Sequence, residues 1–321
     1  MQNKQNERFS DCLDTVWVIE KPAKESLGED SFYCAAKGNS ALVCVCDGCG
    51  GLGARKYETF EGHTGAYIAS RAVSGGIHDW YHHNYRKSWK NPRELSVTLD
   101  DYIRCVYAVC EPYAVEKMRI AGSMVRRFPT TLALAYAESD KEGILIHLLW
   151  AGDSRVYLLD ENGLAQLTKD DTDVEDALEN LFSDGALTNV LSSDGKYQIN
   201  YKTILLDKPA LIFAATDGCF GYISSPMEFE YTLLRELSES KGPAEFKNRL
   251  RNVLAEYAGD DLAMGLMSFY YGSFDNTKNR LKKRLKELEA HYISPIHKEW
   301  SDELVRMLWN EYKKGYERYL R

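Results

Sequence analysis

The sequence predicts an α+β fold, a four-layer α/β/β/α sandwich of two antiparallel sheets flanked by helices, with a C-terminal helical extension. Three observations predict it. Seven short runs rich in β-branched, aromatic and other apolar residues recur along the chain. Several of these are joined only by turn residues, which demands antiparallel neighbours. Longer segments with helical periodicity lie between them, so helices and strands come in blocks.

Taken in order, Ser31 to Ala36 and Ala41 to Cys46 read as strands joined through Lys37-Gly38-Asn39-Ser40. A helix is expected over Gly62 to Gly75 and another over Glu94 to Arg119. Thr130 to Ala137, Ile144 to Trp150 and Arg155 to Leu159 read as strands, the last two linked by Ala151-Gly152-Asp153-Ser154. Leu211 to Ala215 and Leu262 to Tyr270 are further strands. Between them lie helices over Pro226 to Glu239 and Pro243 to Tyr257, each opening on a proline that suits a first turn. The strands are apolar at both alternating positions, which suits sheets covered on both faces. Beyond Asp275, a basic segment to Tyr292 with Leu281, Leu285 and Leu288 on one stripe, a break at Pro295 and a helix from about His297 to Leu320 predict a helical hairpin. The chain therefore divides into a catalytic unit over 1–274 and a hairpin over 275–321 that packs on it or mediates a partner or dimer contact.

Apolar residues make up 44% and charged residues 27% of the 321, ordinary values for a globular chain. The first ten residues are polar, and the longest apolar runs are too short to span a bilayer, so no membrane segment is expected and a cytoplasmic location is read. A formal net charge of -8 argues against nucleic acid as a partner. The eight cysteines do not form a disulfide framework, and several sit in strand runs as small buried hydrophobes. Cys46 and Cys49 lack the second pair a zinc site needs. His78, His82 and His83, in a polar stretch with Trp80, Tyr81 and Trp89, are read as a surface loop.

Acidic residues recur where apolar strands meet turns: Glu29-Asp30, Asp47, Asp153, Asp217 and Asp260-Asp261. Carboxylates gathered at one sandwich edge would repel one another unless cations lay between them, and oxygen donors of this kind suit Mg²⁺ or Mn²⁺. Glycines beside Asp47, Asp153 and Asp217 let the backbone turn sharply and offer carbonyl oxygens. Asp-Gly pairs without a preceding apolar strand, at 184–185 and 194–195, are read as ordinary turns.

The order and wording of these pieces resemble the protein phosphatase 2C family: Gly28-Glu29-Asp30, Val45-Cys46-Asp47-Gly48-Cys49-Gly50-Gly51, Thr130-Thr131-Leu132-Ala133, Ala151-Gly152-Asp153-Ser154-Arg155, Leu167-Thr168-Lys169-Asp170, Asn189-Val190-Leu191, Ala215-Thr216-Asp217-Gly218 and Gly259-Asp260-Asp261. The resemblance implies the sandwich. It also implies hydrolysis of phosphoserine or phosphothreonine in proteins by a water bridging two divalent cations, with no side-chain nucleophile. By the same resemblance Asp47 would bridge the metals, the Gly48 carbonyl would ligate one, and Asp217 and Asp260 would complete the other site. Glu29 and Asp30 would act through water, and Asp153 would serve a third cation. A mobile flap is expected over about 169–206, and Arg55, Lys56 and His63 of the insertion Leu52 to His63 are expected near the site.

The chain departs from the family pattern in places. Glu25 stands where many members carry a phosphate-gripping arginine, which leaves Lys24 as the substitute; Cys49 stands where some carry histidine, and Ala263 where threonine or serine is usual. Cys49 and Cys219 each follow an Asp-Gly pair of the site, where oxidation would disturb the ligands. A catalytically silent relative that binds phosphoproteins as a regulator is the rival reading.

Overall fold

The structure, a computed structural model, describes residues 9–25, 27–114, 127–183 and 185–320. The chain opens with α1 (Phe9–Cys12), β1 (Leu13–Lys21), β2 (Ser31–Lys37) and β3 (Ser40–Cys46). A two-residue pair, β4 (Lys56–Tyr57) and β5 (His63–Thr64), precedes α2 (Gly65–Asn84) and α3 (Pro92–Cys110). Then come β6 (Leu132–Ser139), β7 (Ile144–Ala151), β8 (Arg155–Asp160), β9 (Gly163–Gln166), α4 (Ala177–Ser183), β10 (Asn200–Leu206) and β11 (Ala210–Ala215). The chain continues through α5 (Pro226–Glu239), α6 (Pro243–Tyr257), β12 (Leu262–Phe269), α7 (Phe274–Leu288), α8 (Ser294–Lys298) and α9 (Asp302–Tyr316).

Two five-stranded antiparallel sheets result, ordered β1-β12-β11-β8-β9 and β10-β7-β6-β3-β2. Strand alternation sorts their residues into three cores. Ala41, Val43 and Val45 of β3, Ala133, Ala135 and Ala137 of β6, and Ile212 and Ala214 of β11 fill the layer between the sheets. Leu42, Cys44, Cys46, Leu132, Leu134 and Tyr136 face outward against α2 and α3. Leu211 and Phe213 face the other way, against α5, α6 and the C-terminal helices. The expected α/β/β/α order is what the chain adopts, because both faces of every central strand are apolar.

Local signals set the helix starts. The Ser225 hydroxyl accepts from the Glu228 amide ahead of Pro226, and Ser273, Ser301 and Thr64 cap α7, α9 and α2 in the same manner.

Several expectations change. β1, β9 and β10 did not stand out in the sequence; β10 pairs with β7 at a sheet edge, so 200–206 belong to the sandwich and not to the flap. The 62–75 helix runs on through Gly75 and Gly76 to Asn84, because Ile77, Trp80 and Tyr81 continue its buried stripe. The His78, His82 and His83 cluster is therefore on the exposed face of α2, while Trp80, Tyr81 and Trp89 are buried. α3 ends at Cys110, and the last residues of the helix expected to Arg119 lie outside the described segments.

At the C-terminus Pro295 is not the break. A π turn over 289–293 widens the helix just ahead of it, so α8 follows directly, and the chain bends only at 299–301, where Ser301 starts α9. Three helices stand where two were expected. Their buried face, Leu281, Leu288, Ile293, Ile296, Val305, Trp309, Tyr312 and Tyr316, joins the same core as α5. Glu230, fully buried on α5, takes two 2.7 Å hydrogen bonds from Arg284 and one of 2.5 Å from the Tyr312 hydroxyl. Among the described residues no helix is long and apolar enough to cross a membrane.

Candidate metal centre

Strand register gathers the acidic turns at one edge. Ser31 pairs with Cys46, which sets Asp30 beside Asp47 at the end of β3. Leu132 pairs with Ala151, which brings the Asp153 turn to the start of β6. Ala215 pairs with both Arg155 and Met264, so Asp217 leaves β11 between the Asp153 turn and the Asp260-Asp261 turn that opens β12. Asp47 thus comes from one sheet, Asp217 and Asp260 from the other, and Asp153 from the turn that crosses between them.

Backbone contacts fix these turns. The Asp47 amide donates to Thr131 Oγ1 at 3.0 Å, and its carbonyl accepts from Thr130 Oγ1 at 2.7 Å and the Thr131 amide at 2.8 Å. Thr216 Oγ1 donates to Asp30 at 2.7 Å and accepts from the Ala263 amide at 2.9 Å, tying the two sheets at the site. Asp261 is buried and accepts from the amides of Ala23, at 2.6 Å, and Glu29. The Glu29 carboxylate accepts from Thr64 at the start of α2. Glycine is required by space at two turns. A Cβ on Gly218 would stand 1.8 Å from the Asp261 carbonyl oxygen, and one on Gly48 would stand 2.8 Å from the carbonyl oxygens of Ala66 and Glu29.

The electrostatics are those of an uncompensated anionic cluster. Burial, then the charges of Asp217, Asp30, Asp153 and Asp260, push the Asp47 carboxyl far above the ordinary carboxylate range. Burial, then Asp153, Asp30 and Asp260, do the same to Asp217. Burial raises Asp30 to about 7, against the hydrogen bond from Thr216 and with help from Asp261 and Asp260. Glu29 and Asp260 are raised as well, each chiefly by burial. The strongest charged neighbours of Asp47 and Asp217 are all acids, so the cluster is at ease only with protons or cations among its oxygens. A donor set of carboxylates and backbone carbonyls fits hard divalent cations. Among the described residues no three or more His, Cys, Asp or Glu side chains are drawn together around a single ion.

The structure thus brings Asp30, Asp47, Asp153, Asp217 and Asp260 into one electrostatic cluster, joins Glu29 to it through Asp260 and Asp261, and leaves Lys24 exposed in the turn after β1, with its carbonyl accepting from the Leu27 amide at 3.1 Å. Two cations line the adjacent cleft, of about 170 Å³: Lys21 at the end of β1 and, beside Gly28, Asp30, Tyr67 and Asp261, Arg71 of α2. Its Nη2 donates to the Gly28 carbonyl at 2.9 Å, and its guanidinium lies 3.5 Å from the Tyr67 ring centroid. Sequence reading missed Arg71. The signal was the Tyr67/Arg71 spacing of four on the helix after the Asp47 turn.

A second cavity, of about 280 Å³, opens on the other side and is lined by Asp153, Asp217, Arg155, Asn180, Leu181, Gly185 and Tyr222. Arg155 is buried and holds Asp170 through Nε and Nη2 at 3.0 and 2.7 Å. Of the insertion, Lys56 is exposed, Arg55 lies 5.0 Å from the Tyr57 ring and His63 stacks on Tyr67 at 3.8 Å. Burial first, and then the site's acids, keep the Cys49 and Cys219 thiols protonated, which removes the reactive thiolate.

Comparison with known proteins agrees with this reading. The structure of a serine/threonine phosphatase from Mycobacterium tuberculosis superposes with a TM-score of 0.56 at 19% identity, covering 80% of this chain and 98% of that one. The serine/threonine phosphatase Stp1 from Staphylococcus aureus superposes at 0.59 with 16% identity, covering 84% of this chain and all of that one. A Mycoplasma genitalium relative is 25% identical over 205 residues, 60% of this chain and 72% of its own. A family model described as protein phosphatase 2C matches residues 22–255. That span is most of the chain and carries every acidic turn but the last, and on it the chain belongs to the protein phosphatase 2C family.

Proposed function

We propose that the protein is a metal-dependent phosphatase that hydrolyses phosphoserine and phosphothreonine side chains of proteins. The observation that carries the proposal is the mutual repulsion of Asp30, Asp47, Asp153, Asp217 and Asp260 at one sandwich edge. Asp47, the Gly48 carbonyl, Asp217 and Asp260 would hold two Mg²⁺ or Mn²⁺ ions, with Glu29 and Asp30 acting through water and Asp153 toward a third. The catalytic domain of a serine/threonine protein phosphatase of the same fold, with a TM-score of 0.53, has been crystallised with two manganese ions. When bound, such ions acidify the attacking water and offset charge on the phosphoryl oxygens.

The chain's own residues do the positioning. Thr130 and Thr131 fix the Asp47 backbone, and Thr216 orients Asp30. Arg71, beside Asp30 at the cleft, is the guanidinium available to a substrate phosphate, in the place considered for Lys24. A silent phosphoprotein-binding relative is not favoured, because Asp47, Asp217 and Asp260 are all present. A cytoplasmic location fits the lack of a membrane-spanning helix among the described residues. Trp300, exposed in the bend before α9, and Met307, exposed on α9, are apolar groups there available to a partner.

The test is hydrolysis of a phosphothreonine peptide with Mn²⁺, with Mg²⁺ and with chelator, for the wild type and for Asp47→Asn and Asp217→Asn. Turnover that needs metal and is lost in both variants supports the proposal. A metal-loaded wild type without turnover refutes it.

A further inference from the structure

We propose that α9 is a clamp that positions the 170–186 segment over the acidic cavity, with Trp309, Lys313 and Arg306 as the positioning residues for protein substrates; this rests on the phosphatase reading above. The base of the segment is tied down without α9: Asp171 accepts from the Gly152 amide at 3.1 Å and from Asn189 and Asn200, and the Asp173 amide donates to the Ala186 carbonyl at 3.1 Å. The segment's one helix, α4, is seven residues long, and its inner face reaches the core through buried Ala177 and Leu178 and through Asn180, which donates to Asp170 at 3.1 Å. Asn180, Leu181 and Gly185 form the wall of the cavity opposite Asp153 and Asp217. What holds the outer face comes from the far end of the chain.

Asp176 is the junction. Its Oδ1 accepts from the amides of Leu178 and Glu179, at 2.9 and 3.1 Å, and so caps the start of α4. The same carboxylate accepts from Trp309 Nε1 at 3.0 Å and, through Oδ2, from Lys313 Nζ at 2.7 Å. One turn along α4, Glu179 is gripped by Arg306 with two hydrogen bonds of 2.8 and 3.0 Å. Arg306 also lies 5.3 Å from the Phe182 ring. α9 cannot drift from this position, because its other face is buried. Tyr316 accepts from Arg155 at 3.4 Å, and Arg318, just beyond the helix, donates to Asp160 and to the Gly163 carbonyl at 2.9 Å each. The helix therefore touches the guanidinium that lines the cavity and the segment that walls it.

The family match ends at residue 255, ahead of Asp260, β12, α7, α8 and α9, so α9 lies outside the matched span. A small aryl phosphate needs only the carboxylates and their cations. A phosphopeptide is longer and must lie against Asn180, Leu181 and Tyr222, whose placement the clamp sets.

The experiment compares the wild type with Arg306→Ala/Lys313→Ala, whose side chains are partly exposed and leave the core intact. Amide hydrogen exchange over 171–189 is expected to speed up by roughly ten-fold in the variant, with the sheets unchanged. KM for a phosphothreonine peptide is expected to rise about five-fold while kcat for p-nitrophenyl phosphate holds. Swapping the charges, Glu179→Arg with Arg306→Glu, should return KM toward the wild-type value. Unchanged exchange over 171–189 would overturn the clamp, and an equal loss of kcat on both substrates would overturn its link to substrate binding. A metal-loaded wild type that hydrolyses neither substrate would refute the phosphatase reading instead, and the exchange measurement would still decide the clamp.

Discussion

With its cations removed by chelator, the protein should become more stable as pH falls from 7.5 to 5.5, against the usual behaviour of a carboxylate in a favourable ion pair. Asp30 supplies a magnitude. Its carboxyl is raised from 3.8 to about 7, chiefly by burial and in spite of the Thr216 hydrogen bond. Above pH 7 it is charged in both folded and unfolded states, and the folded state bears the full cost. At roughly three units and about 1.36 kcal/mol per unit, that cost is about 4 kcal/mol. Between the two pKa values the folded chain holds a proton that the unfolded chain has released, so stability rises as pH drops. From pH 7.5 to 5.5 the gain from Asp30 alone is about 2 kcal/mol. Urea unfolding in chelator at several pH values, for the wild type and Asp30→Asn, measures it. The variant should be more stable than the wild type at pH 7.5 and should lose part of the pH slope. Equal slopes for the two proteins would show that Asp30 is not under this stress, and the argument from mutual repulsion would lose its best-defined member. Saturating Mn²⁺ should reverse the trend, because cations favour the ionised form that protons otherwise compete for.

Other outcomes are expected from the same structure. Asp217→Asn should stabilise the chelated protein in thermal melts, by relieving repulsion with Asp153 and Asp30, yet lower turnover with Mn²⁺ by about 100-fold or more. Arg284→Ala should destabilise the fold by roughly 3 kcal/mol in urea titrations, because it leaves buried Glu230 with the Tyr312 hydroxyl in place of a bidentate guanidinium. Gly48→Ala should cost about 1–3 kcal/mol and lower metal affinity measured by calorimetry, since its Cβ would press on the Ala66 and Glu29 carbonyls.

The central strands were legible in sequence because they are buried on both faces: β3 reads Ser40 to Cys46 with every residue buried, and β12 is alike. β10 escaped notice for the opposite reason. It is an edge strand with Tyr201 and Leu205 exposed, so its pattern blends into the polar segment before it. The acidic turns announced themselves through position, each at the end of an apolar run. Arg71 did not, since a lone arginine on a helix looks like any solvated charge until the fold shows what stands beside it. The clamp was invisible for a related reason: Asp176 and Trp309 are 133 residues apart, and neither belongs to a motif. Pro295 misled because a proline normally ends a helix, whereas a π turn ahead of it absorbs the clash.

Small side chains meet within the layer between the sheets: Ala41, Ala133, Ala135, Ala137 and Ala214, with Gly265 so close to its neighbour that a Cβ there would stand 3.0 Å from Val43 Cβ. Asp47 is carried by the sheet on one side of this layer and Asp217 by the sheet on the other. The separation of Asp47 from Asp217, which any cations held between them would have to match, thus depends on the thickness of this spacer as well as on the turns that carry the two aspartates. A shim inserted into that spacer, such as Ala214→Val, would be read at the far edge as a different preferred ionic radius.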